Sequence, residues 1–352
     1  MKSTTALTAI LLAAAACSSD DSKDSGADAL YQQEVVTGMH DTLLTDVQAL
    51  HTAVVALKAA APTTTGRGWD ASQDATAITA MTNAWLDARG AYERTEGALA
   101  PLFPDIDAAI DARYEDFLEG VPGGDQDLFD GEGVTGMHAV ERILFATKTP
   151  VAVVEVEASL PGYKAAAWPS SQAEALAFKN ELCEQLVKDT QRLADQWQQQ
   201  TTFDLAGAFN GLISLMNEQR EKVNKAASQE EESRYAQRTL ADLRQNLAGT
   251  QRIYALFQEW LLSKSNGAKI DSDIESSFAS LDTAYKGLTG DALPVPSATW
   301  SAERPSAADL QTPFGRLYSA VQTAVDPNVS GSAVDGMNRA ARALGFPELV
   351  EE

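Results

Sequence analysis

The chain has 352 residues, and its 27 Lys and Arg against 50 Asp and Glu give a formal net charge of −23 at pH 7. A surface this acidic repels phosphate backbones and attracts cations, so we expect no nucleic acid among its partners. The sequence has two cysteines, Cys17 and Cys183, and this number excludes a cysteine-based zinc finger.

The first residues, 1–16, are typical of a signal peptide. Lys2 precedes a short run of apolar and small residues, and a polar segment begins at Ser18. This run is too short for a transmembrane helix. Three alanines stand directly before Cys17, which is the pattern of a bacterial lipobox, although Ala14 occupies the position where Leu is usual. We therefore predict a lipid on Cys17 and a linker over residues 17–29. The alternative is plain secretion with cleavage near Ala16.

The rest of the chain follows the period of an α-helix. In the first long segment, apolar residues recur at steps of three and four: Leu43, Val47, Leu50, Val54 and Leu57. Helices are predicted over residues 29–60, 74–99, 106–118, 138–145, 170–200, 205–227, 233–264, 270–287, 307–325 and 333–344. The β-branched cluster at residues 151–156 is interpreted as a loop or an extended connection.

Long amphipathic helices joined by short breakers bury their apolar faces best as bundles. We therefore predict an all-α protein with two domains, each similar to a four-helix bundle. The first domain covers residues 30–165 and the second covers residues 166–352. Cys183 lies on the apolar side of a predicted helix in the second domain, and we expect it to be buried without a disulfide partner.

One short motif could carry chemistry. Gly136, His138 and Glu141 form the pattern GxHxxE at the start of a predicted helix. Residues three apart on a helix project from the same face, as paired metal ligands do. The spacing alone is a weak signal, because a single His at a solvated helix start is common.

A second pattern precedes the motif along the chain. Trp85, Arg89, Tyr92 and Glu96 step by four, three and four, so they form one stripe on a helix. A buried Arg and Glu are unfavourable unless they are paired. The stripe therefore indicates either an internal hydrogen-bonded network or an exposed face with a surface ion pair.

Together these patterns resemble the imelysin family. The resemblance rests on the GxHxxE motif in the context Gly-Met-His-Ala-Val-Glu-Arg-Ile-Leu-Phe and on the run from Trp85 to Glu96. It continues in the acidic segment 230–236 and the helix that follows, and it covers most of residues 30–350. One segment departs from the iron-regulated branch of the family, because only Ile106-Asp107 and Ile110-Asp111 resemble its Gly-Pro-Ile-Asp sequence.

The resemblance implies two helical bundles in a cell-envelope protein that is associated with iron uptake. By this resemblance, His138, Glu141 and Glu96 are candidate ligands of a metal cation such as iron. The wall of the site would then be formed by the remaining residues of the stripe and the motif, which are Trp85, Arg89, Tyr92 and Gly136. The implied partners are the membrane, through Cys17, and components of an iron transporter.

Three functions remain open from the sequence. The first is a non-catalytic protein that binds a metal cation or an iron-related ligand for uptake. The second is a metal-dependent peptidase, with zinc as its metal, since the founding name of the family came from a proposed metallopeptidase activity. Because familiar helical zinc peptidases use two histidines, this site would have to recruit His40 or His51. The third is a structural or interaction protein of the outer membrane, in which GxHxxE only permits close packing.

The lipid on Cys17 can be tested directly. Cys17→Ser should release the protein from the membrane fraction and abolish labelling by a fatty acid, because this cysteine carries the predicted anchor. Ser18, rather than Asp, at the next position favours the outer membrane. Cys183→Ser is the control and should leave both properties unchanged. Membrane association that persists in Cys17→Ser would contradict the anchor.

Overall fold

The computed structural model describes residues 21–114, 118 and 127–347, and every regular element in these ranges is helical. This confirms the predicted all-α class. Among the described residues, no helix is long and apolar enough to cross a membrane. The predicted signal peptide 1–16 and the lipidation site Cys17 lie outside the described residues.

The α-helices of the described residues are numbered in chain order. They are α1 (Asp21–Ala60), α2 (Ala75–Glu93), α3 (Glu96–Leu102), α4 (Pro104–Asp111), α5 (Gly136–Leu144), α6 (Val151–Glu157), α7 (Gln172–Ala177), α8 (Cys183–Gln199), α9 (Leu205–Lys225), α10 (Thr239–Leu262), α11 (Gly267–Lys286), α12 (Pro313–Val325) and α13 (Ala333–Leu344). A π-helical turn, Phe178–Leu182, joins α7 to α8.

The helices pack in two groups that share a continuous core. In the first group, α1 packs against α2 and α8, while α4 contacts α8 and α5. In the second group, α9 to α13 pack on one another, and α10 also contacts α1 and α2. Cys183 begins α8 and is buried in the core, as its place in the sequence indicates. The division into domains at residue 165 stays a prediction. α8 lies after that position in the chain but packs on α1, which lies before it.

Several helix boundaries differ from the sequence prediction. The predicted helix 74–99 is interrupted after Glu93, where the Thr95 side chain donates a hydrogen bond to the carbonyl of Tyr92. The helix predicted to begin at residue 233 begins at Thr239, and the acidic segment before it forms turns instead of helix. α1 begins at Asp21 instead of residue 29, and Asp28 within it accepts a hydrogen bond from Trp260.

The prediction of a loop at residues 151–156 is wrong, because this segment forms α6. Val153 and Glu157, four residues apart, face the interior, and Glu157 accepts a hydrogen bond from Arg142. Burial of one face and this buried ion pair outweigh the low helix propensity of the β-branched residues. α6 thereby supports the helix that carries the GxHxxE motif.

Candidate metal centre

Gly136 allows the end of α4 to approach the start of α5. Its φ of +88° lies in the left-handed region, which only Gly adopts readily. A Cβ at this position would lie 2.6 Å from the carbonyl oxygen of Ile110. Asp111, the next residue and the last of α4, is therefore brought beside the first turn of α5, where His138 is located.

His138 is buried, and both nitrogens of its ring face carboxylates. Nδ1 lies 2.8 Å from Oε2 of Glu141 on the same helix. Nε2 lies 3.3 Å from Oε1 of Glu232 and 3.5 Å from Oδ1 of Asp111. Glu141 is held from the other side by the backbone N–H of Ala236, which donates to its Oε1 at 2.9 Å. The imidazole of His138 thus lies between Glu141 on its own helix and two carboxylates, those of Asp111 and Glu232, that are distant in sequence.

Asp111, His138 and Glu232 form the donor cluster of the site. They offer one ligand atom each, and these atoms lie within 4.8 Å of one another. One imidazole nitrogen and two carboxylate oxygens suit a borderline cation with mixed ligands, so these residues fit a metal ion. Glu232 comes from the turn between α9 and α10, where the guanidinium of Arg113 donates to the carbonyls of Glu230 and Glu231.

Arg89 compensates the negative charge of the cluster. Its guanidinium forms ion pairs with Glu93 and Asp111 and lies 2.7 Å from Oε1 of Glu232. Asp242 is within 3.9 Å. Burial by itself lowers the pKa of Arg89, but these carboxylates together raise the pKa well above its ordinary value, so Arg89 remains charged.

The predicted stripe on α2 faces the interior. Trp85 donates from its indole N–H to the carbonyl of Met137 at 3.1 Å, which ties α2 to the motif. Tyr92 donates its hydroxyl to Oδ1 of Asp107 at 2.5 Å. Glu96 accepts a hydrogen bond from the side-chain amide of Asn246 at 2.9 Å. The sequence left open whether this stripe is an internal hydrogen-bonded network or an exposed face. In the structure it is an internal network.

A cavity of about 280 Å³ adjoins the donor cluster. Its lining is almost entirely charged and comprises Glu96, Asp111, Arg113, Glu218, Glu221, Lys222, Lys225 and Glu232. Lys222 Nζ is 3.3 Å from Oε2 of Glu232 and 3.8 Å from Oε2 of Glu96. Glu96 is therefore connected to Glu232, and so to His138, through the ammonium of Lys222.

The surrounding charges change the pKa values of the central groups. Burial by itself would lower the pKa of His138, but the nearby carboxylates, above all that of Asp111, raise it to about 9. For Glu232, burial acts to raise the pKa, whereas the positive charge of Lys222 and the hydrogen bond with His138 hold it well below its usual range. Glu232 is therefore an ionised carboxylate in the core of the protein.

The structure brings the predicted site residues together in part. His138 and Glu141 are in direct contact, and Gly136, Trp85 and Arg89 surround them. Glu96 and Tyr92 lie in the adjoining part of the network. Metal ligation by Glu141 and Glu96 stays a prediction: their carboxylates contact Nδ1 of His138 and Asn246, respectively.

Sequence reasoning did not assign a role to Asp111 or Glu232. Both residues lie in segments that the family resemblance had drawn attention to, the Ile110-Asp111 pair and the acidic run 230–232. His40 and His51, which a two-histidine peptidase site would need, lie on α1. His40 stacks on Trp197, and His51 contacts Thr190, so neither belongs to the donor cluster.

The chain is similar to known proteins over most of its length. Residues 36–324 match the family described as Imelysin, Peptidase_M75. An Efem/EfeO family lipoprotein of Staphylococcus haemolyticus is 26% identical over 231 residues, which are 65% of this chain and 66% of that protein. The iron uptake system component EfeM of Pseudomonas syringae pv. syringae is 25% identical over 195 residues. That alignment covers 54% of this chain and 52% of the relative.

The chain is also similar to a protein of solved structure. It is an imelysin-like protein from Psychrobacter arcticum 273-4, with 12% sequence identity and a TM-score of 0.49. The comparison covers 95% of this chain and 99% of that one.

Gly136→Ala tests the close approach of α4 and α5. The left-handed backbone costs a non-Gly residue about 1–2 kcal/mol, and crowding against Ile110 should add about 1–3 kcal/mol. The free energy of unfolding in denaturant should fall by the sum. Gly290→Ala is the matched control, since Gly290 has a φ of +80° but no atom within 4 Å of an added Cβ. An equal loss in both variants would contradict the packing argument.

Proposed function

Because this chain belongs to the imelysin family, we propose that it captures a metal cation, iron in the first place, in the cell envelope for uptake. The observation that supports this most is the donor cluster of Asp111, His138 and Glu232, whose ligand atoms lie within 4.8 Å of one another. No chemical step beyond binding and release of the cation is needed for such a role.

The contacts of His138 favour its use as a ligand through Nε2. A hydrogen bond from Nδ1–H to Glu141 fixes the tautomer and the plane of the ring, as carboxylates do next to metal-bound histidines. A cation that binds between Asp111 and Glu232 would displace the proton of Nε2, which faces these carboxylates, and take its lone pair. In this proposal Glu141 positions the ligand, and Glu96 acts on Glu232 through Lys222.

The relatives support iron as the cation and the envelope as the location. One relative is named as a component of an iron uptake system, and the other is named as a lipoprotein. We propose that this chain is likewise anchored by a lipid on Cys17, at the periplasmic or outer-membrane surface. It would pass its cation to components of an iron transporter.

Binding of Fe²⁺ under anaerobic conditions tests the role of the donor cluster. Calorimetric titration of the wild-type protein should show one saturable site. Asp111→Asn, His138→Ala and Glu232→Gln should each raise the dissociation constant more than about tenfold, because the loss of one of few ligands costs more than about 1.4 kcal/mol. The amide variants preserve side-chain shape and remove the negative charge.

Two exposed acids provide matched controls for these variants. Asp105→Asn lies on α4, as Asp111 does, and Glu230→Gln lies in the same acidic run as Glu232. Both should bind Fe²⁺ as the wild type does. A flat titration of the wild type, or equal losses in the controls and the cluster variants, would contradict the proposal. Chelator-sensitive hydrolysis of a test protein that His138→Ala abolishes would instead favour a peptidase.

A further inference from the structure

Lys222 is a buried ammonium whose hydrogen-bonding capacity is not used. Only 6% of the residue is exposed, and its Nζ makes no hydrogen bond with the described part of the chain. The nearest carboxylate oxygens belong to Glu232, Glu96 and Glu218, at 3.3, 3.8 and 3.9 Å. A buried ammonium that forms ion pairs but no hydrogen bond is not fully satisfied, so an oxygen acceptor in the space in front of it would stabilise it.

That space is the cavity of about 280 Å³, and it shares two residues with the donor cluster. Asp111 and Glu232 line the cavity and also belong to the cluster. Pockets for drug-sized ligands have about 300–1,000 Å³, so this cavity, near the lower end of that range, has room for a small molecule. A molecule in this cavity would be next to both the bound cation and Lys222.

The charges of the cavity determine when an anion can enter. Five carboxylates and three cationic side chains line it, which is a formal charge of −2. The lining by itself therefore has no excess of positive charge that would attract an anion. A divalent cation at the adjacent cluster offsets the formal charge of −2, and a trivalent cation leaves it at +1, so a bound cation favours the entry of an anion. Three protein ligand atoms also leave coordination positions open on a cation that takes about six ligands.

We propose that the site takes its cation together with a small oxyanion of the carboxylate type, such as carbonate or a short dicarboxylate. The oxyanion supplies oxygen ligands to the cation and accepts hydrogen bonds from Lys222. This inference rests on the proposed capture of a cation at Asp111, His138 and Glu232. It assigns the cavity as a second subsite, with Lys222 as the residue that recognises the anion.

The proposal requires that the two ligands strengthen each other's binding. If the oxyanion increases the affinity for the cation by some factor, the cation increases the affinity for the oxyanion by the same factor. The wild-type protein can therefore be tested without any substitution. Fe²⁺ is titrated anaerobically in carbonate-free buffer, then with bicarbonate and, separately, with malonate, at matched ionic strength. Each dissociation constant is corrected for Fe²⁺ bound by the oxyanion in solution.

At least one oxyanion should lower the dissociation constant of Fe²⁺ by about tenfold or more, within the usual range of coupling between ligands. Isotope-labelled bicarbonate or malonate should be retained by the protein only when Fe²⁺ is present. The two titrations distinguish carbonate from an organic acid as the source of the anion.

Lys222→Met tests the recognising residue. In carbonate-free buffer this variant should bind Fe²⁺ more tightly than the wild type, because it removes a positive charge 3.3 Å from Glu232. The enhancement by the oxyanion should disappear. Lys286→Met is the control: Lys286 is an exposed lysine that pairs with Asp282 on α11, so the enhancement should remain. If Lys222→Met does not fold, Lys222→Arg should retain part of the enhancement, and the wild-type titrations decide alone.

The outcomes separate this inference from the proposed function. Fe²⁺ binding that neither oxyanion changes would overturn the anion subsite and leave the capture of the cation intact. An equal enhancement in the wild type and in Lys222→Met would also overturn it. The absence of Fe²⁺ binding with and without oxyanions would overturn both.

Discussion

The geometry of the site depends on the burial of one guanidinium among four carboxylates. Arg89 pairs with Glu93, Asp111 and Glu232 and lies within 3.9 Å of Asp242. These acids come from α2, α4, α10 and the turn before α10, so a single side chain connects four segments of the chain. Carboxylates this close would repel one another in the core. The unfavourable free energy of burying them is offset only while the guanidinium of Arg89 lies between them.

This arrangement relates the acidic composition to the proposed activity. The surplus of acids over bases in the whole chain attracts cations to the surface. In the core, by contrast, Arg89 and Lys222 neutralise the acids that a metal would use, with Glu232 in contact with both. A metal cation that binds at Glu232 therefore enters an existing set of ion pairs. Its affinity reflects the difference between metal ligation and those pairs, rather than ligation alone.

Sequence reasoning predicted the features that depend on local periodicity. The helical class and the contact of His138 with Glu141 three residues later follow from the geometry of a single helix. For Arg89 the sequence pattern left an internal network and a surface ion pair open, and the buried ion pairs with Asp111 and Glu232 decide for the interior. Where the prediction is confirmed, the relevant neighbours are close in sequence.

The remaining features depend on contacts between distant segments. Asp111 ends a short helix and Glu232 lies in an irregular turn, so no periodic pattern marks either residue. They meet only because Gly136 admits the end of α4 and Arg89 holds both carboxylates. Likewise, α6 is helical although its sequence favours a strand, since Glu157 pairs with Arg142 in the core. Tertiary packing, rather than local propensity, determines these positions.

Anomalous diffraction from crystals of the iron-loaded protein would locate the bound cation directly. We expect an iron peak bonded to Nε2 of His138 and to carboxylate oxygens of Asp111 and Glu232, at distances of about 2.0–2.6 Å. Glu141 should remain hydrogen-bonded to Nδ1. A peak that is bonded to exposed acids, or one at Glu96 and Glu141 without Nε2 of His138, would contradict the account.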